Sequence, residues 1–185
     1  MSTNPQLAGQ TVIVIGGTKG IGLETARLAR AEGADVIITA RDQERLDAVG
    51  LELGARTAAF DATDLVRLGE FFDELPGQID HVLVTGPGPY YAPLAELDFA
   101  QAHRDYDSHL LVPVQVARKA VDKVRAGGTL LFMSGTGGRR ATSGALIAAH
   151  TAAVPALARN LAVEVAPVRV NVIAAGFVDT PLSAT

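Results

Sequence analysis

A glycine-rich segment joins a β-branched run to a helix-forming stretch near the start of the chain, and it restricts the fold more than any other feature. Thr11–Ile15 predicts a buried strand, and the residues after position 20 predict a helix. Glycines between them allow a sharp turn and a close approach to a pyrophosphate, whose charge the amides of the helix start would hold. The candidate phosphate-binding residues are Gly16, Thr18, Lys19, Gly20, Ile21 and Gly22. A tight turn without a ligand is the alternative, but the place of the segment in a strand–helix–strand pattern favours nucleotide binding.

Six apolar runs alternate with five helix-like stretches. The strand-like runs are Thr11–Ile15, Asp35–Thr39, Arg56–Phe60, Ile79–Thr85, Thr129–Met133 and Val168–Ala174. The helix-like stretches cover about 20–32, 42–53, 63–74, 98–126 and 143–166, with capping side chains offered within Asp61–Asp64 and at Asp98. This alternation predicts a parallel sheet with right-handed crossovers. We therefore expect one α/β domain over residues 1–185, a doubly wound sheet of about six strands in three α/β/α layers.

Composition excludes several classes of protein. The formal net charge is −4 without a basic block, which argues against electrostatic binding to nucleic acid. Cysteine is absent, so disulfides, thiolate metal sites and cysteine nucleophiles are excluded, and we predict no metal site. The polar start lacks the order of a signal peptide, and no apolar run reaches membrane-spanning length. We expect a cytoplasmic protein with neither a membrane nor a nucleic-acid partner.

Motifs along nearly the whole chain resemble those of the short-chain dehydrogenase/reductase family. The glycine spacing is similar to that family's T-G-x3-G-x-G loop, and Asp61 follows the third strand, where family members carry an adenine-binding Asp. Residues 82–88 resemble the family's V-L-V-N-N-A-G, and residues 168–180 resemble its I-R-V-N-x-x-x-P-G-x-x-x-T. The resemblance implies a Rossmann-type fold and a dinucleotide cofactor. Its further contacts would be Asp61, Ala62, Thr85, Gly86, Pro87, Gly88, Thr151, Gly176, Val178 and Thr180.

The end of the second strand distinguishes between the two nicotinamide cofactors. An acidic residue there would bind the ribose hydroxyls of NAD(H) and repel a 2′-phosphate. The strand is instead followed by Arg41, whose guanidinium suits a phosphate through paired donors. Lys19 in the glycine loop can approach the same phosphate. Two solvated surface charges are the alternative, but their positions favour NADP(H) over NAD(H).

The resemblance fails at most of the family's catalytic residues, which are a Ser, an Asn and a Tyr-x-x-x-Lys pair. In the register of the fifth helix, Ile147 stands at the Tyr position and Thr151 at the Lys position. Ser134 keeps the position of the Ser, and His109 takes the position of the Asn. The family's usual tyrosine acid and its lysine are therefore missing from this sequence.

A histidine can exchange a proton near neutral pH, so we predict that His109 and Ser134 form the polar, catalytic floor of the cleft. Pro113 and Pro155 each remove an amide donor and should free the carbonyls of His109 and Thr151, the second as an acceptor for a ligand. A buried His109 that only fills space is the alternative.

Other titratable side chains are assigned lesser roles. Tyr90 or Tyr91 follows the fourth strand and could reach the cleft from its loop. His150 precedes Thr151 but points away from it on a helix, so we expect it on a helix flank or in a subunit contact.

These observations favour an NADP(H)-dependent oxidoreductase with a carbonyl or alcohol substrate and an atypical active site. A non-catalytic NADP(H)-binding sensor, or the inactive partner of a related subunit, is the alternative, because the Tyr and Lys are both absent. A homo-oligomer, either dimer or tetramer, is favoured by a smooth helix stripe made of Ala145, Ala149, Ala152 and Ala156. Family members continue with a substrate-covering helix pair and a seventh strand, which residues 1–185 lack, so we expect an open cleft and an exposed edge at the sixth strand.

Overall fold

Six strands form one sheet in the computed structural model, which describes residues 6–75, 77–139 and 144–181. The strands are β1 (Thr11–Ile15), β2 (Asp35–Ala40), β3 (Arg56–Ala59), β4 (Ile79–Val84), β5 (Val124–Gly135) and β6 (Arg169–Ala175). Their order is β3-β2-β1-β4-β5-β6, and neighbouring strands run parallel, which confirms the predicted doubly wound sheet. The order reverses direction between β1 and β4, and such sheets bind their ligands at the carboxyl ends of the strands at this point.

Helices connect the strands and cover both faces of the sheet. They are α1 (Gly20–Ala31), α2 (Gln43–Leu53), α3 (Leu65–Glu74), α4 (Phe99–Tyr106), α5 (Val112–Ala120) and α6 (Ala145–Glu164). A π-helical turn, Asp107–Leu111, joins α4 to α5. Asp64 and Asp98 cap α3 and α4 as predicted, since each carboxylate accepts hydrogen bonds from two backbone N–H groups of the first turn.

The core consists of two apolar layers, one on each face of the sheet. Alternate residues of β1 point to opposite faces, as the period of a strand requires. Ile13 and Ile15 pack with side chains of α3, α5 and α6, including Phe72, whereas Val12 and Val14 pack with those of α1 and α2. This three-layer packing explains why β1 is apolar from Val12 to Ile15 rather than alternating.

The prediction for the fourth helix is wrong at its end. That helix was expected to reach residue 126, but α5 ends at Ala120 and β5 begins at Val124. Val124 pairs with Ile79 of β4. Residues 124–126 therefore belong to β5, although their local sequence pattern favours a helix. Gly128 allows this close passage, because a Cβ there would lie 2.5 Å from the carbonyl oxygen of Asp80.

The predicted fifth helix corresponds to α6, and its expected first residue, 143, lies outside the described residues. By length and composition alone, α6 could cross a membrane, in contrast to the expectation from the sequence. Its buried side chains, however, include Ala158 and Leu161, which pack into the core beside the sheet. A core helix passes the same test of length and composition, so α6 is weak evidence for a membrane span.

Leu68 provides a test of the core on the α3 face. Its side chain is fully buried, at 0% exposure, so we expect Leu68→Ala to lower the free energy of unfolding by about 2–5 kcal/mol. Leu51 of α2 is 88% exposed, and the same substitution there should change stability by less than about 0.5 kcal/mol. Urea unfolding followed by circular dichroism measures both, and equal losses in the two variants would contradict this packing.

Candidate active site

The loop between β1 and α1 lies against the end of β4. Gly16 and Gly20 have φ angles of 90° and 50°, which favour glycine. Gly22 packs so closely that a Cβ would press on the carbonyl oxygen of Gly16 and lie 2.8 Å from Thr85 Oγ1. The Thr85 hydroxyl donates to the carbonyl oxygens of Ile15 and Gly16, at 2.9 and 3.0 Å. These contacts hold the glycine loop at the switch point of the sheet.

The start of α1 is built to receive an anion. No side chain caps α1 at Lys19, and unsatisfied amides at a helix start attract negative charge. Lys19 is exposed, while Thr18 and Ile21 are half-buried in the loop. Thr180, which follows β6, reaches the same loop, because a Cβ at Gly20 would lie 3.5 Å from the Thr180 Cβ. The structure thus brings these predicted cofactor residues together.

Arg41 and Asp61 meet where β2 and β3 end. Arg41 Nη1 lies 3.8 Å from Asp61 Oδ2, and 72% of the Arg41 side chain is exposed. Burial opposes ionisation of Asp61, but the backbone N–H and hydroxyl of Thr63 donate to Asp61 Oδ1 at 2.9 and 2.7 Å. Together with the charge of Arg41, they hold the pKa of Asp61 below its ordinary value. Ala62 packs half-buried on the core beside this ionised carboxylate.

The remaining residues that we predict to bind the cofactor lie in the segments that follow β4 and β6. His109 lies against the first segment: its Nε2 donates to the carbonyl oxygen of Pro87 at 3.2 Å and would lie 3.4 Å from a Cβ at Gly86. Gly88 is half-buried in the same segment. After β6, Val178 is exposed, and in the part of the chain that the structure describes no atom beyond the chain neighbours of Gly176 lies within 4 Å of the position that a Cβ would occupy there.

Ile147 and Thr151 are both buried, next to the segment that follows β5. The Thr151 hydroxyl donates to the carbonyl oxygen of Ile147 at 2.7 Å. Pro155 cannot donate to the Thr151 carbonyl, which instead accepts a hydrogen bond from the Ser134 hydroxyl at 3.3 Å. The hydroxyl and the carbonyl of Thr151 therefore have partners within the chain, in contrast to the free acceptor that we predicted.

A cluster of Asp105, His109 and His150 lies where α4, the π-helical turn and α6 meet. His109 Nδ1 is 3.2 Å from Asp105 Oδ1 and 2.8 Å from the Asp105 carbonyl oxygen, and His150 Nδ1 is 3.2 Å from Asp105 Oδ2. The two imidazole rings lie 4.1 Å apart. Burial and the neighbouring His109 lower the pKa of His150, against the opposing effect of the Asp105 carboxylate.

Sequence reasoning missed Asp105 and misplaced His150. His150 was expected on a helix flank or in a subunit contact, but it is buried, because α6 turns this side chain towards the π-helical turn. The available signal was the spacing of Asp105 and His109, which lie four residues apart and therefore share one helix face.

The two tyrosines after β4 lie in different surroundings. The Tyr90 hydroxyl accepts a hydrogen bond from the Asp98 backbone N–H at 2.9 Å, and Tyr91 is exposed. The π-helical turn lies directly before the helix that contains Pro113, and it includes His109. Pro113 has no amide hydrogen, so the His109 carbonyl lacks the donor of a regular helix.

Comparisons with known proteins agree with this architecture. A family model described as enoyl-(acyl carrier protein) reductase matches residues 15–185. The short-chain dehydrogenase/reductase ATR9 of Stachybotrys chlorohalonatus is 28% identical over 93% of this chain and 75% of its own. Two solved structures have a TM-score of 0.89. One, BdcA in complex with NADPH, is 25% identical over 96% of this chain and 74% of its own. The other, a short chain dehydrogenase/reductase family protein, is 30% identical over 96% and 78%.

Gly22 provides a test of the loop geometry. In an ordinary helix, alanine stabilises relative to glycine by roughly 0.5–1 kcal/mol. Here the added methyl would overlap Gly16 and Thr85, so we expect Gly22→Ala to destabilise the fold by about 1–3 kcal/mol. Gly176→Ala is the control, because the space around Gly176 is open. Denaturant unfolding measures both, and a Gly22→Ala variant as stable as the wild type would exclude this packing.

Proposed function

Because the chain belongs to the short-chain dehydrogenase/reductase family, we propose that it is a cytoplasmic, NADP(H)-dependent oxidoreductase with a small carbonyl or alcohol substrate. The observation that carries the proposal is the glycine cradle. A Cβ at Gly22 would fill the space between Gly16 and Thr85, and the uncapped start of α1 follows directly. A cradle of this shape fits a pyrophosphate, and one structural neighbour was solved with NADPH.

The preference for NADP(H) rests on the charges at the end of β2. Arg41 is exposed and pairs with Asp61 at the long distance of 3.8 Å, so its guanidinium can turn to a phosphate. The nearby Asp42 could have favoured NAD(H), but its carboxylate caps α2 by accepting from the backbone N–H of Arg45. Lys19 adds a second exposed positive charge at the glycine loop.

Arg41→Asp tests the cofactor preference. Removing the charge-assisted contact should cost about 1.5–3 kcal/mol, which weakens NADPH binding roughly 10- to 100-fold, while NADH binding is maintained or improved. Arg56→Asp makes the same charge change at the opposite end of β3 and should leave the preference unchanged. Isothermal calorimetry with both cofactors measures the result. Equal affinities of the wild type for NADPH and NADH would refute the choice of NADP(H).

The proposed chemistry uses two hydrogen-bond donors at the cleft. When bound, the nicotinamide supplies or accepts the hydride at the substrate carbon. The Ser134 hydroxyl lies at the end of β5, and the Nε2–H of His109 points to the segment after β4. We assign both donors to the substrate oxygen. They would turn to it from the carbonyls of Thr151 and Pro87 and stabilise the charge that develops as the hydride moves, and His109 would supply the proton that completes the alcohol.

A non-catalytic NADP(H)-binding protein is the second candidate function, and one observation favours it. Ile147 and Thr151 are buried at the positions of the family's Tyr and Lys, and the Thr151 hydroxyl bonds within its own helix. Neither side chain can replace the proton donor or the ammonium of the family. Such a protein would act as a sensor of the cofactor or as the inactive partner of a related subunit.

Ser134→Ala separates the two candidates. If the protein is a reductase, loss of one donor at the substrate oxygen should lower kcat by about 10²–10³, with NADPH affinity unchanged. NADPH oxidation over a broad panel of aldehydes and ketones gives the rates, and fluorescence of bound NADPH gives the affinity. Wild-type protein that binds NADPH but reduces no compound of the panel would favour the non-catalytic candidate.

We also propose that the protein is a homo-oligomer, either dimer or tetramer. The predicted alanine stripe is not fully covered by packing on the sheet of its own subunit. It exposes Ala145, Ala149 and Ala152, and Ala156 is half-buried. The adjoining α4 also exposes Phe99. A smooth stripe of small residues lets a second helix approach closely.

Ala149→Arg should disrupt this assembly, because a long charged side chain would prevent close approach of a second helix. Leu51→Arg, on the exposed face of α2, is the control and should not change the mass. Light scattering at micromolar concentration should give a multiple of 19.2 kDa for the wild type and the control. A wild-type mass of 19.2 kDa would overturn the proposed assembly.

A further inference from the structure

We propose that Asp105, His109 and His150 form a binding site for one divalent transition-metal ion, contrary to the expectation from the sequence. Each of the three residues can offer a ligand atom, and these atoms lie within 4.8 Å of one another. Two imidazoles and one carboxylate are ligands that Zn²⁺ accepts, whereas Mg²⁺ and Ca²⁺ prefer oxygen ligands alone.

The distances fit a tetrahedral ion. Metal–ligand bonds of about 2.0–2.1 Å place neighbouring ligand atoms about 3.3 Å apart on the edge of a tetrahedron. His109 Nδ1 and His150 Nδ1 are each 3.2 Å from an oxygen of Asp105. Each imidazole nitrogen is therefore as far from a carboxylate oxygen as two ligands of one tetrahedral ion would be. A modest rotation of the rings would bring both Nδ1 atoms into contact with the same ion.

A buried nitrogen without a well-aligned hydrogen bond points to a ligand. Among the described residues, His150 Nδ1 makes no hydrogen bond of good geometry, although it lies 3.2 Å from Asp105 Oδ2. A buried nitrogen in this state has lost its contact with water without a full replacement. A bound ion would satisfy it and neutralise the buried carboxylate of Asp105 at the same time.

The outer contacts of the site already orient the proposed ligands. His109 Nε2 donates to the carbonyl oxygen of Pro87, which directs Nδ1 towards Asp105, and the backbone N–H of Tyr90 donates to Asp105 Oδ1 at 2.9 Å. Metal sites commonly hold their histidines and carboxylates in this way. His109 Nδ1 also lies 2.8 Å from the Asp105 carbonyl oxygen, and any proton that it holds there must leave when an ion binds.

The position of the site connects it with the proposed cleft. His109 occupies the position of the family's Asn, and His150 adjoins Thr151, which stands where the family has its Lys. An ion here would bring positive charge to a region that has lost the ammonium, and it would leave the Nε2–H donor of His109 in place. The three protein ligands leave a fourth position for water or substrate, as in catalytic zinc sites.

Co²⁺ is the probe for the test, because its visible absorption reports ligand number. Full-length protein is dialysed against chelator and titrated with Co²⁺, then with Zn²⁺. We expect one equivalent of Co²⁺ with a tetrahedral spectrum that Zn²⁺ abolishes. His150→Gln and Asp105→Asn should each weaken binding by about 100-fold or more, while His103→Gln, an exposed histidine of α4, should not.

Nitrogen-15 spectra of the wild-type histidine rings keep the test independent of the variants' folding. Zn²⁺ should shift the Nδ1 signals of His109 and His150, and leave those of His81 and His103 unchanged. Absence of the cobalt spectrum, or equal binding by His150→Gln and wild type, would overturn the site. NADPH affinity, measured on the same samples, reports the proposed function separately.

Discussion

The hydroxyl of Thr85 and the missing side chain of Gly22 decide how closely α1 approaches the sheet. The Thr85 hydroxyl donates to the carbonyl oxygens of Ile15 and Gly16. Because Gly22 has no side chain, α1 can pack directly against this contact. This contact joins the two strands at which the sheet reverses its order, so the start of α1 and the ends of β1 and β4 share one edge. The cofactor cradle, the Arg41–Asp61 pair and the segment that holds His109 all lie at this edge.

Polar groups of the cleft are paired with one another in this chain. Ile147 and Thr151, which we predict to stand at the positions of the family's Tyr and Lys, are both buried, and the Ser134 hydroxyl donates to the Thr151 carbonyl. Titratable groups gather beside them, where Asp105 and His109 meet His150 of α6. We therefore place the proposed proton transfer, charge stabilisation and metal binding at this cluster and at Ser134.

The alternation of apolar runs and helix-like stretches was enough to predict the sheet, its parallel strands and the ends of most helices. The caps of α3 and α4 could be predicted from the sequence, because Asp64 and Asp98 accept hydrogen bonds from backbone N–H groups no more than three residues further along the chain. The end of the fourth helix was missed because Val124 enters the sheet by pairing with Ile79, far away in the chain. Local pattern carries no information about such a partner.

The sequence by itself determined the glycine loop and the position of Arg41, and it predicts that the Tyr and Lys are absent, because each is a matter of residue type at a known spacing. Only the tertiary structure decided where the remaining polar groups go. His150 and Asp105 lie 45 positions apart and come together because α6 packs against the π-helical turn that directly follows α4. Pro155 leaves the Thr151 carbonyl of α6 without its helical donor, and the hydroxyl that donates to this carbonyl belongs to Ser134 of β5. Contacts of this kind depend on how helices are seated on the sheet, and that is set by the whole core rather than by any segment of the sequence.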